Sequence, residues 1–264
     1  MGTAVNICNL RTTLLPANQN YPKYNYSQCF PHISWIHETA GFYKDPTSGK
    51  DLVIKVRSGI YEANMIALAG DCAAPICGLL QDNAGQINGI VMQRFWALDV
   101  SRKTIAEKSN IANTMVKLVQ RLRTEKRILH GDIKADSFLI LPRGELRICD
   151  FGGAAPIADP LGPQQWTPGR LSPYRYVYEN SEQAFNEKDD DYALGIAIWE
   201  MWCGEIPLNN VSNESMEQYI LSGQTIDVSR IEDPRIKKLV QDLMAPAMAM
   251  GGHFLNVRRG LWGR

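Results

Sequence analysis

Two acidic loops constrain this chain more than any other feature. They are His130-Gly131-Asp132-Ile133-Lys134 and Cys149-Asp150-Phe151-Gly152-Gly153, and their aspartates stand eighteen residues apart. Between them, Phe138 to Leu141 reads as a strand and a second strand leads toward Asp150, so a β-hairpin fits the interval and leaves one loop at each end. In the first loop a carboxylate and an ammonium lie two residues apart. One can accept a proton from a hydroxyl while the other stabilises phosphate charge. The same residues also fit a turn with an exposed ion pair, which contributes little. In the second loop, an acid at a strand end followed by Gly-Gly suits a metal–phosphate site, because a hard cation takes carboxylate oxygen. A strand-to-turn transition capped by aspartate reads the same way.

Upstream of these loops the chain is mostly β. Residues 1 to about 30 are rich in Asn, Tyr, Pro and Thr with weak periodicity and read as an irregular arm. Ile33 to Glu38 and Gly41 to Lys44 read as short strands, with a turn at Asp45-Pro46-Thr47-Ser48-Gly49. Leu52-Val53-Ile54-Lys55-Val56 is a β-branched strand. Ile60, Met65, Ile66 and Leu68 recur at helical spacing, and Gly70-Asp71 ends that helix. Pro75 to Leu80 and Ile87 to Met92 form a strand pair across the turn Asp82-Asn83-Ala84-Gly85. Downstream, Ile105 to Glu125 carries the stripe Ile111, Met115, Leu118, Val119, Leu122. Asp191 to Cys203 reads as a buried helix, and Glu214 to Leu221 and Pro234 to Met244 as amphipathic ones. The tail from Ala245 to Arg264 reads as poorly structured.

The order of these pieces resembles a eukaryotic-type protein kinase domain of the serine/threonine class. A catalytic loop, a hairpin and Asp150-Phe151-Gly152 follow one another in that family's sequence. Leu52-Val53-Ile54-Lys55 resembles its V-A-I-K strand. Asp190-Asp191-Tyr192-Ala193-Leu194-Gly195, Trp199-Glu200-Met201 and Gly204-Glu205-Ile206-Pro207 resemble its buried helix after the activation segment. The resemblance spans residues 33–244. It implies an α+β, bilobal protein-kinase-like fold with a small β-rich N-lobe (31–94) and a larger α-helical C-lobe (95–244), flanked by the arm and by an atypical C-terminal tail (245–264).

Site residues follow from the resemblance position by position. Asp132 would orient and deprotonate the acceptor hydroxyl, and Lys134 would neutralise the moving γ-phosphoryl. Lys55 would hold the α/β-phosphates of ATP with Glu62 as its helix partner, across a connection of only seven residues. Met92 would precede a hinge, Gln93-Arg94-Phe95, that meets adenine through its backbone. Val53 would lie above the adenine and Leu139 beneath it. Asp150 would bind Mg²⁺, with Ser137 as the second metal position. His130 and Phe151 would be packing residues. An activation segment would run from Asp150 to about Glu179, where Val177-Tyr178 replaces Ala-Pro, with Ser172 seven residues before Glu179.

Four departures bear on activity. Ser137 stands where the family has a metal-binding asparagine, so a neutral hydroxyl on a shorter side chain replaces an amide. No G-x-G-x-x-G precedes Lys55; Ile36-His37-Glu38-Thr39-Ala40-Gly41-Phe42 occupies that place, with fewer free backbone N–H groups for phosphate and a repelling Glu38. Gly131 replaces the arginine that grips a phosphorylated loop, which weakens Thr167 and Ser172 as phosphosites. The late arginine that pairs with Glu179 is missing.

The implied function is transfer of the γ-phosphoryl of ATP to Ser/Thr hydroxyls of a protein. The alternatives are a pseudokinase acting as a nucleotide-binding or scaffold module, and a small-molecule kinase, since His-Gly-Asp also occurs in such enzymes. Lys+Arg and Asp+Glu are both 28 in 264 residues, so no basic excess points to nucleic acid. Six scattered cysteines without a C-x-x-C pair fit reduced thiols and an intracellular protein, cytoplasmic or nuclear. No basic-then-apolar leader opens the chain, Asn6 argues against myristoylation of Gly2, and no apolar run reaches the ~18 residues of a membrane span. The expected partner is a protein substrate or binding protein, with neither membrane nor nucleic acid.

Overall fold

The computed structural model describes residues 10–159, 186–207, 211–212, 215, 218–219 and 226–245. The expected helix Glu214 to Leu221 lies mostly outside them. Thr167, Ser172, Glu179 and the tail beyond residue 245 lie wholly outside. The described chain divides into two compact units. One is built from residues up to 96 together with 139–152, and the other from 97–138 and the residues from 153 onward. The division thus falls at Trp96, and the second hairpin clusters with the β-rich unit although it lies within 95–244. The architecture is the α+β, bilobal kinase-like one, a β-rich unit and a helical unit.

The β-rich unit is built on a six-stranded sheet. Its strands are β1 (Lys23–Asn25), β2 (Ser34–His37), β3 (Ala40–Lys44), β4 (Asp51–Val56), β5 (Ile76–Gln81) and β6 (Ile87–Gln93), in the spatial order β1-β5-β6-β4-β3-β2. Strand β4 shows why the sheet forms. Leu52, Ile54 and Val56 are buried on one face with Tyr43, Leu80 and Val91, while Val53 and Lys55 alternate onto the other. The pairing Val53↔Met92 and Lys55↔Ile90 carries that alternation across to β6. The segment expected to be an irregular arm contributes β1, which runs parallel to β5 with Lys23 opposite Leu79. A three-residue strand carries too little alternation to be legible, and its partner lies far along the chain. Helix α1 (Ile60–Ala69) follows β4 after only Arg57-Ser58-Gly59 and ends at Gly70, whose φ of +56 suits glycine.

The helical unit is organised around α2 (Ile105–Thr124) and α3 (Glu187–Cys203). Helix α2 opens with a capping box in which Thr104 and Glu107 satisfy each other's backbone N–H groups, and it buries Met115, Leu118, Val119 and Leu122. Helix α3 has its own capping box, Asn186 with Asp189, which carries the helix four residues further upstream than its apolar pattern predicts. It is buried on all sides, as its near-continuous apolar run requires. A fourth helix, α4, covers 234–245 and buries Ile236, Val240 and Met244. It approaches α3 closely at Gly195, where a methyl group would meet Met244 Cγ at 2.8 Å. Among the described residues no helix is long and apolar enough to cross a membrane.

Candidate functional site

In the β-rich unit the structure gathers Lys55, Glu62 and Asp150. Lys55 projects from β4 on the face shared with Val53 and Met92. Its Nζ lies 2.7 Å from Glu62 Oε1 and 2.5 Å from Asp150 Oδ1. Glu62 comes from the first turn of α1 and is almost fully buried, whereas the Asp150 side chain stays 35% exposed. Asp150 reaches the lysine because its strand is pinned. In the hairpin of β9 (Phe138–Ile140) and β10 (Leu146–Ile148), Ile148 bridges Ala73 and its carbonyl accepts from Ala74 N–H at 2.6 Å. Two residues later Asp150 adopts φ +66, a left-handed conformation that is costly for a non-glycine residue and turns the chain sharply. Burial disfavours the Lys55 ammonium, but the two carboxylates more than offset it and hold its pKa above the ordinary lysine value. A fixed cation with one buried and one open carboxylate is an arrangement for binding phosphate oxygen and a hard metal ion together.

The other residues expected on the nucleotide side fall as follows. Met92 pairs directly with Val53. Arg94 donates its backbone N–H to Asp51 O at 3.2 Å, and its guanidinium lies 4.1 Å from the centroid of the Phe42 ring. Phe42 is opposite Val53 on β3, so it belongs to the same face as Lys55; the sequence reading did not single it out. Leu139 lies half-buried on β9. The β2–β3 connection closes in two residues, Glu38 and Thr39, between the paired His37 and Ala40. This is a tight hairpin with no glycine at its tip.

In the helical unit, Asp132 and Lys134 form an ion pair at 3.0 Å, each partly open to solvent. Their loop follows β8 (Ile128–Leu129), which pairs antiparallel with β11 (Ala155–Pro156). The loop is held by α3. The Asp190 carboxylate accepts from His130 N–H at 2.7 Å and Gly131 N–H at 2.9 Å, and Glu200 Oε2 accepts from Ala135 N–H at 3.1 Å. Asp190 is buried, and that burial raises its carboxyl to about 6 even though His130 and both backbone donors favour the charged form. His130 is fully buried, as is Phe151 in the other unit, both as expected for packing residues. The His130 ring also accepts Asp132 N–H at Nδ1. Ser137 is buried, and its hydroxyl donates to the Asp132 carbonyl at 3.2 Å, so in this conformation it braces the loop. A cavity of about 570 Å³ opens beside the loop, lined among others by Asp99, Asp136, Glu200, Trp202 and Glu205.

Sequence reasoning placed Asp190 and Glu200 in a family pattern without seeing their work. Their signal was an acid at the head of a buried helix and another near its end. A buried carboxylate has to be satisfied, and here neighbouring backbone N–H groups satisfy it.

Comparison with known proteins gives one matching family and several relatives. The family described as protein kinase domain matches residues 88–249. The human lymphokine-activated killer T-cell-originated protein kinase is 31% identical over 134 residues, covering 47% of this chain and 38% of that protein. The serine/threonine-protein kinase pkpA of Phycomyces blakesleeanus is 34% identical over 126 residues, 46% of this chain and 20% of its own length. The probable serine/threonine-protein kinase WNK10 of Arabidopsis thaliana is 27% identical over 124 residues, 46% of this chain and 23% of its own length. The matched stretch thus spans well under half of each relative.

Proposed function

This chain belongs to the protein kinase domain family, and from that premise we propose that it transfers the γ-phosphoryl group of ATP to a serine or threonine hydroxyl of a protein. The observation that carries the proposal is the Lys55 ammonium held between buried Glu62 and open Asp150. Lys55 binds the α/β-phosphates, and Glu62 keeps the ammonium charged and in place. Val53, Met92, Arg94 and Leu139 are the residues assigned to the adenine side. Asp150 is assigned to Mg²⁺, for which its exposed carboxylate is a suitable hard ligand. When bound, Mg²⁺ neutralises phosphate charge. Ser137 can add only a neutral oxygen, whose lone pairs remain available while its proton is given to Asp132 O.

On the acceptor side, Asp132 takes the hydroxyl proton as the new O–P bond forms. The bond from the γ-phosphorus to the bridging oxygen breaks, and ADP leaves with that electron pair. Lys134 balances the charge on the phosphoryl oxygens in transit. The cavity beside Asp136, lined by Asp99, Lys108, Trp202 and Glu205 among others, supports a protein acceptor as a place for residues that flank the reacting hydroxyl. The test is phosphate transfer by purified protein with Mg-ATP and a generic protein acceptor. Transfer well above an Asp132→Asn control is expected. Transfer no greater than the control would remove the proposal, and nucleotide binding with no turnover would put a pseudokinase in its place.

A further inference from the structure

The segment 10–18 is fastened to the helix that carries Glu62. Asn64, fully buried on α1, has every side-chain hydrogen-bonding position filled from that segment. Its Nδ2 donates to the carbonyls of Leu10 at 3.0 Å and Thr13 at 2.7 Å. Its Oδ1 accepts from Leu15 N–H at 2.9 Å and from Asn18 Nδ2 at 3.1 Å. Asn18, also fully buried, donates from the same nitrogen to Ala63 O at 3.0 Å. The Arg11 guanidinium lies 4.8 Å from the centroid of the Tyr61 ring. Residues 61, 63 and 64 are therefore held from one segment, while Glu62 between them holds Lys55.

Intrinsic helix stability does not explain this arrangement. Asparagine is a poor residue for a helix interior, and a ten-residue helix whose N-cap, Gly59, makes no side-chain cap bond is marginal alone. Asn18 Oδ1 is buried with no hydrogen-bond partner among the described residues, a cost that persists because both of the side chain's N–H bonds point at α1. The connections Arg57-Ser58-Gly59 and Gly70-Asp71-Cys72 fix the two ends of α1, and its apolar packing through Ala63, Met65 and Ile66 is non-directional, so the hydrogen bonds from residues 10–18 add the directional constraint on rotation about the helix axis. Glu62 reaches Lys55 in only one rotational setting.

We propose that residues 10–18 brace α1 in the orientation where Glu62 meets Lys55, with Asn64 and Asn18 as positioning residues for that ion pair. Its consequence for nucleotide binding rests on the kinase reading above; the positioning itself does not, so the test needs no nucleotide. Lys55 Nζ lies enclosed between Glu62 Oε1 and Asp150 Oδ1, so an acylating reagent reaches it only when that contact opens. Loosening Glu62 makes the opening more frequent and speeds acylation. The rate at which an amine-reactive ester labels Lys55 is measured by peptide mass spectrometry on the full chain, for wild type, Asn64→Ala, Asn18→Ala, Glu62→Gln and the Asn64→Ala/Glu62→Gln double variant.

Asn64→Ala is expected to raise the rate about five- to tenfold, in line with a local opening made that much more frequent. Asn18→Ala, which removes two bonds rather than four, raises it less and carries the test by itself if Asn64→Ala does not fold. The double variant should label no faster than Glu62→Gln alone, because Asn64 acts through Glu62. Wild-type labelling rates in the folded asparagine variants would overturn the proposal. So would effects that multiply in full in the double variant, since these would mark Asn64 as generally structural. Mg-ATP affinity measured in parallel separates the two claims: a wild type that binds no nucleotide overturns the kinase reading alone.

Discussion

Replacing Asp190 by alanine takes away the shared acceptor of His130 N–H and Gly131 N–H, the two amides that set the start of the Asp132 loop. Stranding two buried donors costs about 2–5 kcal/mol. Against that stands the burden of the carboxylate itself. Raising a carboxyl from 3.8 to about 6 corresponds to about 3 kcal/mol of unfavourable ionisation at neutral pH. The two effects nearly offset, so Asp190→Ala leaves stability at pH 7 within about 2 kcal/mol of wild type.

The pH dependence separates the two effects. Between 3.8 and about 6 the folded protein holds the Asp190 proton and the unfolded chain has lost it. Stability contributed by this group therefore falls as pH rises through that window and is level above it. Denaturant unfolding of wild type and variant at half-unit steps from pH 4 to 7 gives the difference directly, and other carboxylates cancel in it. The wild-type advantage should shrink by about 2 kcal/mol between pH 4 and 6.5. Hydrogen exchange at Gly131 should accelerate in the variant well beyond what the global loss explains. A stability difference that stays flat from pH 4 to 6.5 would refute the reasoning.

Lys55→Met leaves Glu62 buried without its cation and should destabilise the protein by about 2–4 kcal/mol. Adding Glu62→Gln should restore much of that in the same denaturation assay, while neither variant should show a thermal shift with Mg-ATP. Gly89→Ala on β6 puts a methyl 2.5 Å from the Lys55 carbonyl oxygen, so β4 and β6 must separate. A loss of about 1–3 kcal/mol is expected, with lower nucleotide affinity because Lys55 moves with its strand. Thr104→Ala opens the capping box of α2 and should lower the thermal midpoint by about 2–4 °C, with ATP affinity unchanged.

Much of the fold was legible because it rests on local rules. Alternation along Leu52 to Val56, the stripe from Ile111 to Leu122, and the turn Asp82 to Gly85 each specify an element from residues within one window, and all three elements formed. Strand β1 was not legible. A parallel pairing of Lys23–Asn25 with residues 79–81 is a long-range event with no turn to announce it. The head of α3 was misplaced by four residues because Asn186-Glu187-Lys188-Asp189 is polar, and its helix-starting role lies in capping rather than in apolar periodicity.

The site divides in the same way. The sequence alone singled out the groups proposed to carry chemistry: Lys55, Asp132, Lys134 and Asp150 are short-range patterns with recognisable spacing, and Ser137 and the glycine-free turn at Glu38-Thr39 were visible as departures. Tertiary structure decided what those groups are attached to. It set Glu62 against Lys55 through an asparagine network reaching back to residues 10–18, and it hung the Asp132 loop from Asp190 and Glu200, which lie 59 to 65 positions away from the backbone they hold. A buried polar side chain must find its partner wherever the fold brings one, so its role cannot be read from its neighbours in sequence.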